Sequence, residues 1–331
     1  MTGDAAVYGE EMKHVLDYQL AIVNENTQGY QFELIYEDGQ CGAGATSAFQ
    51  KLTDVDGVSF VLGGACSSET LAFAPLLAEK NVVAVSPLSS SPELVGASSN
   101  LVSLSYSDAG VGEGIADQMK GFNKVAFLTE QNDYNIALYD TVMASLEGSG
   151  VEVVADETVE KGATDFRNAL QKIKSAEPEA VFFNINVGVT AETLLKQLFE
   201  IEGWNITRIG TFTMMDDDYI SLNPEVMEGF IVVDTPKTNS PEFLAVQETI
   251  TTTQGSVENI GAYYTASTLD ALTVLTTAIM NADADPVRTL AEIRSGSFKG
   301  YIGTIVFGDE TFVQGIGTAT YVVKNGVWTQ Q

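Results

Sequence analysis

Two strand-to-helix turns, one close behind the other, limit this chain to few folds. Val58-Ser59-Phe60-Val61-Leu62 is a β-branched apolar run of strand length, and Gly63-Gly64-Ala65-Cys66-Ser67-Ser68-Glu69-Thr70 follows it at once. The glycines turn the chain, and Ser67 or Ser68 caps a helix running to about Lys80. Val82-Val83-Ala84-Val85 forms a second strand, followed by Ser86-Pro87-Leu88-Ser89-Ser90-Ser91-Pro92-Glu93-Leu94. There Ser91 is the expected cap, Pro92 the first helical residue and Glu93 a favourable first-turn acid. Such turns share one edge of a parallel sheet, which is where open α/β sheets bind ligands. Backbone N–H groups and serine hydroxyls at helix N-termini suit a carboxylate. Serines in these positions also cap helices and shape turns with no ligand involved.

The rest of the chain keeps the same rhythm. Val7, Met12, Val15, Leu16, Leu20 and Val23 share one face and predict a helix over residues 6–26. A strand over 31–36 and a helix over 44–53 follow. Beyond Lys124 come strands at 125–129, 151–155, 180–185 and about 208–211, alternating with helices at 135–149, 165–175 and 191–202. A strand at 229–233, helices at 241–253, 262–281 and 287–294, and a last strand at 318–323 complete the reading. Alternating strands and helices imply parallel sheets, and 331 residues exceed one ordinary core. The expected class is α/β, with two doubly wound parallel-sheet lobes joined by a three-strand hinge. Crossings near 105–108, 234–240 and 307–311 give an N-terminal lobe of 1–106 and 236–308, and a C-terminal lobe of 107–235 and 309–331.

Composition removes several classes of function. With 45 acidic against 16 basic residues the net charge is −29, which makes nucleic acid and anionic membrane surfaces poor partners. The longest apolar stretch, around 269–280, is broken by Asp270 and threonines, so no membrane span is expected. There is no Gly-x-Gly-x-x-Gly, phosphate-loop lysine or metal-ligand cluster, so no cofactor or metal is expected. The single histidine, His14, lies beside Glu10, Glu11 and Asp17 on a helix, and Ser67 lacks the Gly-x-Ser-x-Gly frame of an exposed nucleophile. A hydrolase on a flavodoxin-like sheet would need an acid–base pair that this chain does not offer, and no enzyme is expected.

Sparse motifs in a fixed order add to this reading. They are Thr2-Gly3-Asp4-Ala5-Ala6-Val7-Tyr8-Gly9, Glu37-Asp38-Gly39-Gln40-Cys41, Leu62 to Thr70, Ser86 to Leu94, Asp165-Phe166 and Glu228-Gly229-Phe230. Through them the chain resembles, over nearly its whole length, the periplasmic Leu/Ile/Val-binding protein family, the substrate-binding subunits of branched-chain amino acid ABC transporters. The resemblance implies a type I periplasmic binding fold that takes a small carboxylate-bearing ligand in an interlobe cleft, with hinge closure. It also implies an ABC permease partner and a periplasmic or extracellular location, with lipid anchoring of a full-length precursor left open. A ligand-sensing receptor domain and an amide- or urea-type binding protein are the alternatives.

Carried over residue by residue, Ser67 matches the hydroxyl aimed at the ligand carboxylate. Leu88 matches the position offering its backbone carbonyl, and Ser90 the hydroxyl that meets both ends of an amino acid. Tyr8, Tyr134 and Tyr264 match aromatic wall positions, with Tyr263 an equal candidate for the last; aromatic rings bury much area with few torsions to freeze. Ser89, in the second of these turns, and Phe212, after the strand at about 208–211, join the candidate set. Asn184 and Asn186 end a strand and serve either a cleft or a turn. The resemblance also implies a disulfide between Cys41 and Cys66, the only cysteines, against the alternative of two thiols.

Two departures stand out. Amino-acid binders of this family usually place a Glu after the strand that ends here at Ile209-Gly210, to neutralise the ligand ammonium; this chain has Thr211-Phe212-Thr213. A buried ammonium without a partner costs several kcal/mol. Either Asp216, in the run Asp216-Asp217-Asp218, supplies the charge, or the ligand carries no amine; such a run also reads as a solvated loop. Family members moreover begin with a strand leading into Thr-Gly, whereas Met1 directly precedes Thr2-Gly3 and no signal sequence is present in the chain as given. A gap or weakened pairing in the first-lobe sheet is therefore expected.

Overall fold

The computed structural model describes residues 6–331, apart from 28, 43, 187 and 202 and the side chain of 133, so the Thr2–Ala5 part of the opening motif lies outside the described residues. In chain order the first stretch holds α1 (Ala6–Asn26), α2 (Ala45–Gln50), β1 (Phe60–Leu62), α3 (Ser67–Glu79), β2 (Val83–Ser86) and β3 (Leu101–Ser103). The next holds α4 (Asp108–Met119), β4 (Lys124–Gln131), α5 (Asp133–Leu146), β5 (Glu152–Glu160), α6 (Arg167–Ser175), β6 (Ala180–Asn184) and α7 (Val189–Phe199). It continues with β7 (Thr207–Gly210), α8 (Asp217–Leu222), α9 (Pro224–Met227) and β8 (Ile231–Asp234). Then come α10 (Pro241–Thr253), α11 (Gly261–Asn281), α12 (Pro286–Ser295), β9 (Phe298–Gly300), β10 (Gly303–Ile305), β11 (Ala319–Lys324) and β12 (Val327–Gln330).

The chain folds into two compact units. One comprises the chain up to Ser107 together with Lys237–Ile316; the other comprises Asp108–Pro236 and Gly317–Gln331. The last division falls later than the 307–311 crossing expected from sequence. Backbone bonds explain the difference: Ser103 N–H donates to Thr311 O (2.7 Å) and Val313 N–H to Ser103 O (2.9 Å), while Phe312 and Val313 are buried with first-unit side chains.

In the first unit, β1, β2 and β3 form a parallel sheet in that order. Alternate residues of β2 supply its two faces. Val83 and Val85 pack with Ala271, Val274 and Leu275 of α11 and Ile293 of α12, while Ala84 packs with Phe73 and Leu77 of α3 and Phe49 of α2. On α1, Met12, Val15, Leu16 and Val23 are buried at helical spacing, as the sequence stripe requires. Helix starts follow local chemistry: Ser240 Oγ accepts from Phe243 N–H (3.2 Å) and Asp285 Oδ1 from Arg288 N–H (2.8 Å), each with proline at the first helical position.

Three expectations fail here. Residues 31–36 join no sheet, although their exposure alternates along the segment as in a strand. β1 pairs with β2 alone, so it has a strand neighbour on one edge only. The helix after Ser91 is a single 3₁₀ turn, Pro92–Leu94, which Ser91 caps by accepting from Glu93 N–H (3.3 Å). Neither Ser67 nor Ser68 caps α3, because Cys66 takes the N-cap position and Ser67 is already helical.

The second unit is a seven-stranded sheet ordered β12-β11-β8-β7-β6-β4-β5, parallel from β8 to β5 with β11 and β12 antiparallel at one edge. β6 is buried on both faces, as a central parallel strand must be. Val181 and Phe183 face Leu170 and Leu194 of α6 and α7. Phe182 instead meets Phe127, whose ring lies 5.3 Å from that of Tyr139 on α5.

Candidate functional site

In the first unit the two hydroxyl-rich turns end neighbouring parallel strands at their C-terminal edge. The turn after β1 closes on Glu69. One carboxylate oxygen, Oε2, accepts from Ala65 N–H (2.8 Å) and Cys66 N–H (3.2 Å); the other, Oε1, accepts from Cys41 N–H (2.8 Å). A carboxylate in the first helical turn is favoured by the helix dipole, and here it also holds the 38–41 segment against the turn. Gly64 is required, since a Cβ there would lie 2.5 Å from Cβ of Glu69. The Cys41–Cys66 disulfide, with Cα atoms 5.3 Å apart, joins the same segments, and Ser68 Oγ donates to Cys41 O (2.8 Å).

Ser67 locks the second turn onto the first. Its Oγ accepts from the backbone N–H groups of Ser90 and Ser91, each at 3.2 Å, which leaves the hydroxyl hydrogen to donate. The first-turn amides of α3, including Ser67 and Ser68, have no place in the helical ladder. Ser89 turns the other way. Only 1% exposed, its hydroxyl bonds Thr70 Oγ1 (2.8 Å) and Gly64 O (3.1 Å), while Thr70 Oγ1 accepts from Gly64 N–H (2.7 Å). Ser86 Oγ accepts from Ser89 N–H (3.0 Å), and Ser103 Oγ donates to Ser89 O (2.8 Å). Ser89 therefore serves the internal frame of the turn. Leu88, Tyr8 and Tyr264 come together in one apolar cluster. Burial, with Glu11 nearby, raises the Tyr8 phenol above its ordinary pKa. Tyr264 also packs against Tyr263 (5.5 Å) and Tyr106 (6.1 Å), and Tyr263 OH donates to Leu104 O (2.9 Å).

In the second unit, Tyr134 and Phe212 meet edge to face, ring centres 6.0 Å apart. Thr211 and Thr213 are buried, their hydroxyls 2.9 Å apart, and Thr213 Oγ1 donates to Ile185 O (2.7 Å). That part of the sheet edge therefore carries hydroxyls already committed to the fold. Asp216 is exposed, and its Oδ1 caps α8 by accepting from Asp218 N–H (2.8 Å). The capping bond gives Asp216 a structural task, in keeping with the solvated-loop alternative.

Sequence reasoning missed Glu130. It is the last residue but one of β4, 1% exposed, its Oε1 accepting from Gly162 N–H (2.8 Å) and its Oε2 from Asn186 N–H (2.7 Å). An acid closing the apolar run Val125–Thr129 was the available signal. Asn132 caps α5 by accepting from Asn135 N–H (2.9 Å), and Asn184 Nδ2 donates to Asn135 O (2.6 Å). Among the described residues both side-chain amide atoms of Asn135, Oδ1 of Asn184 and Oγ1 of Thr129 are buried without hydrogen-bond partners. Such groups each cost about 1–3 kcal/mol unless water or a ligand meets them. No cluster of three or more His, Cys, Asp or Glu suited to a metal occurs among the described residues, and no described helix is long and apolar enough to cross a membrane.

Comparison with known proteins agrees with this architecture. The chain is 26% identical over 307 residues to the Leu/Ile/Val-binding protein BraC3 of Rhizobium johnstonii, covering 87% of this chain and 80% of that one. The leucine binding protein LivK of Thermotoga maritima superposes with a TM-score of 0.80 at 21% identity, covering all of this chain and 95% of the other. A Rhodopseudomonas palustris ABC-transporter solute binding protein in complex with 4-hydroxybenzoate superposes with a TM-score of 0.84 at 18% identity, covering all of this chain and 93% of the other. These likenesses establish the type I periplasmic binding fold. The model of the periplasmic binding protein family matches residues 1–325, and the chain belongs to that family.

Proposed function

We propose that this protein is the extracytoplasmic solute-binding subunit of an ABC importer, and that it captures a small ligand by its carboxylate. The carrying observation is the Ser67 hydroxyl, fixed by the Ser90 and Ser91 amides beside the unladdered first-turn amides of α3. A donor array held in place before the ligand arrives avoids ordering costs on binding. Leu88, Tyr8 and Tyr264 supply the neighbouring apolar wall, and Ser90 a second hydroxyl. On this reading the protein binds one ligand without turnover, works in the periplasm or outside the cell, and hands its ligand to membrane permease subunits.

Leucine and 4-hydroxybenzoate share a carboxylate and differ in the ammonium. Two features of the second unit favour an amine-free aromatic carboxylate for this chain. Thr211 and Thr213 are spent on each other where amino-acid binders place an acid, and Tyr134 meets Phe212 edge to face. A thermal-shift screen against benzoates, branched-chain amino acids and simple amides tests the proposal. A ligand at about a hundred times its Kd adds about 2.7 kcal/mol of stability. Stabilisation by benzoates and not by leucine or amides supports this reading. Stabilisation by leucine alone would transfer the ammonium-binding role to a buried acid such as Glu130. Stabilisation by amides alone would overturn the carboxylate.

A further inference from the structure

The sheet face that carries α5 in the second unit changes character toward the ends of its strands. Phe127 of β4 and Phe182 of β6 are register partners, and Tyr139 of α5 closes on Phe127. Two residues further along a strand the side chains return to the same face. Thr129 and Asn184, again register partners, therefore lie directly beyond the two phenylalanines. Asn135 stands one helical turn before Tyr139, on the same side of α5. An apolar layer is thus followed by a layer of hydroxyl and amide groups, and Thr129, Asn135 and Asn184 are only 4%, 1% and 0% exposed.

The fold satisfies few of these groups. Asn184 Nδ2 donates to Asn135 O (2.6 Å) and Asn132 Oδ1 accepts from Asn135 N–H (2.9 Å), which holds the four residues together. Thr129 Oγ1, Asn132 Nδ2, both side-chain amide atoms of Asn135 and Asn184 Oδ1 are left buried without a partner among the described residues. So many in one place point to a further group that meets them. Their chemistry selects it. The two Nδ2 atoms donate, the two Oδ1 atoms accept, and the Thr129 hydroxyl does either. None of these side chains is charged, and Glu130, next along β4, points to the other face, where the Gly162 and Asn186 amides hold it. An ion would lose its hydration here without a counter-charge. A neutral hydroxyl, which both donates and accepts, suits the mixture.

We propose that Thr129, Asn132, Asn135 and Asn184 form a site in the second unit for one neutral hydroxyl group. Ordered water supplies such a group, and so does a hydroxylated aromatic carboxylate; the second source rests on the proposed carboxylate binding, the first does not. A buried water makes about three hydrogen bonds, which this set can supply. The occupant would tie β4 and β6 to the first turn of α5 and so steady Tyr134, which adjoins Asn135 in that turn.

Urea titrations of Thr129→Val and Asn135→Leu test the site, and calorimetry of benzoate and 4-hydroxybenzoate tells the two sources apart. Both substitutions exchange polar atoms for apolar ones with similar branching, and Thr129→Val, the milder, decides alone if Asn135→Leu does not fold. With water in the site, each variant is expected to have an unfolding equilibrium constant about fivefold or more above that of the native protein. The double variant should then lose less than the two losses added, because both residues share the occupant. The preference for 4-hydroxybenzoate over benzoate stays as it was. With the ligand hydroxyl in the site, that preference is expected to fall about fivefold or more in Thr129→Val. The proposal is overturned if stability is unchanged or raised, as the removal of unpaired buried groups would make it, and the preference also stays the same. Failure of both acids to bind would overturn the carboxylate reading instead, and the urea titrations would then judge the site alone.

Discussion

Ser67 and Ser90 are the residues on which the functional reading turns, and each carries a direct expectation. Ser67→Ala removes the acceptor of two backbone amides as well as the donor proposed for the ligand, and Ser90→Ala removes a hydroxyl from the neighbouring turn. Each is expected to weaken ligand binding by about 1–3 kcal/mol, read by calorimetry. Ser89→Ala should instead lower stability, because its hydroxyl is enclosed with Thr70 and Gly64. The sequence marked all three serines and could not separate them, since which way a turn hydroxyl points depends on strands it does not adjoin. Asp270 carries a different expectation. Burial raises its pKa from 3.8 to about 6, against the opposing pull of its bonds from Tyr301 N–H and Ile302 N–H. The folded state therefore binds more protons than the unfolded state between those values, and this group's contribution to stability falls as pH rises through them. Relative to Asp270→Asn, the native protein should lose about 2–3 kcal/mol between pH 4 and pH 7 in denaturant titrations. A constant difference across that range would remove the buried charge from the account.

At the scale of elements, long periodic segments were legible and short ones were not. α1 is found over the residues its apolar stripe predicts, and β6 over most of its largely apolar run. β3 and the β9–β10 hairpin have three-residue strands, too short to show a period. α4 escaped for a different reason, because glycines at 110, 112 and 114 argue against a helix on propensity. Tertiary packing overrides that preference: a Cβ on Gly112 would lie 2.5 Å from Cγ2 of Thr141, so the glycine lets α4 lie close on α5. The Cys41–Cys66 link spans 25 residues and fastens the 38–41 segment to the start of α3. Replacing both cysteines with serine should cost about 2–4 kcal/mol in chemical denaturation, since the closed loop no longer restricts the unfolded chain. Ligand affinity should fall as well, as the turn presenting Ser67 loses its covalent anchor. Unchanged stability would mean that Glu69 alone suffices to hold the two segments.

For the molecule as a whole, the family was readable from sparse motifs, whereas the ligand was not. The motifs around Cys41, Gly63–Thr70 and Ser86–Leu94 shape one sheet edge, and their residues bond to one another in the folded protein. In the second unit Thr211, Phe212, Tyr134 and Glu130 come from separate strands and loops with no shared motif, so no run of sequence links them to one ligand. The excess of acid over base, a net charge of −29, makes a carboxylate ligand dependent on local donors rather than on long-range attraction. Salt should consequently raise the association rate of an anionic ligand, as stopped-flow measurements at increasing ionic strength would reveal. The most direct measurement is isothermal titration calorimetry of 4-hydroxybenzoate and leucine against the native protein, Ser67→Ala and Ser90→Ala. One-to-one binding of the benzoate is expected, weakened about 5- to 150-fold in each variant, with leucine much weaker throughout. Benzoate affinity that is the same in all three proteins would contradict it, because the carboxylate would then be held elsewhere.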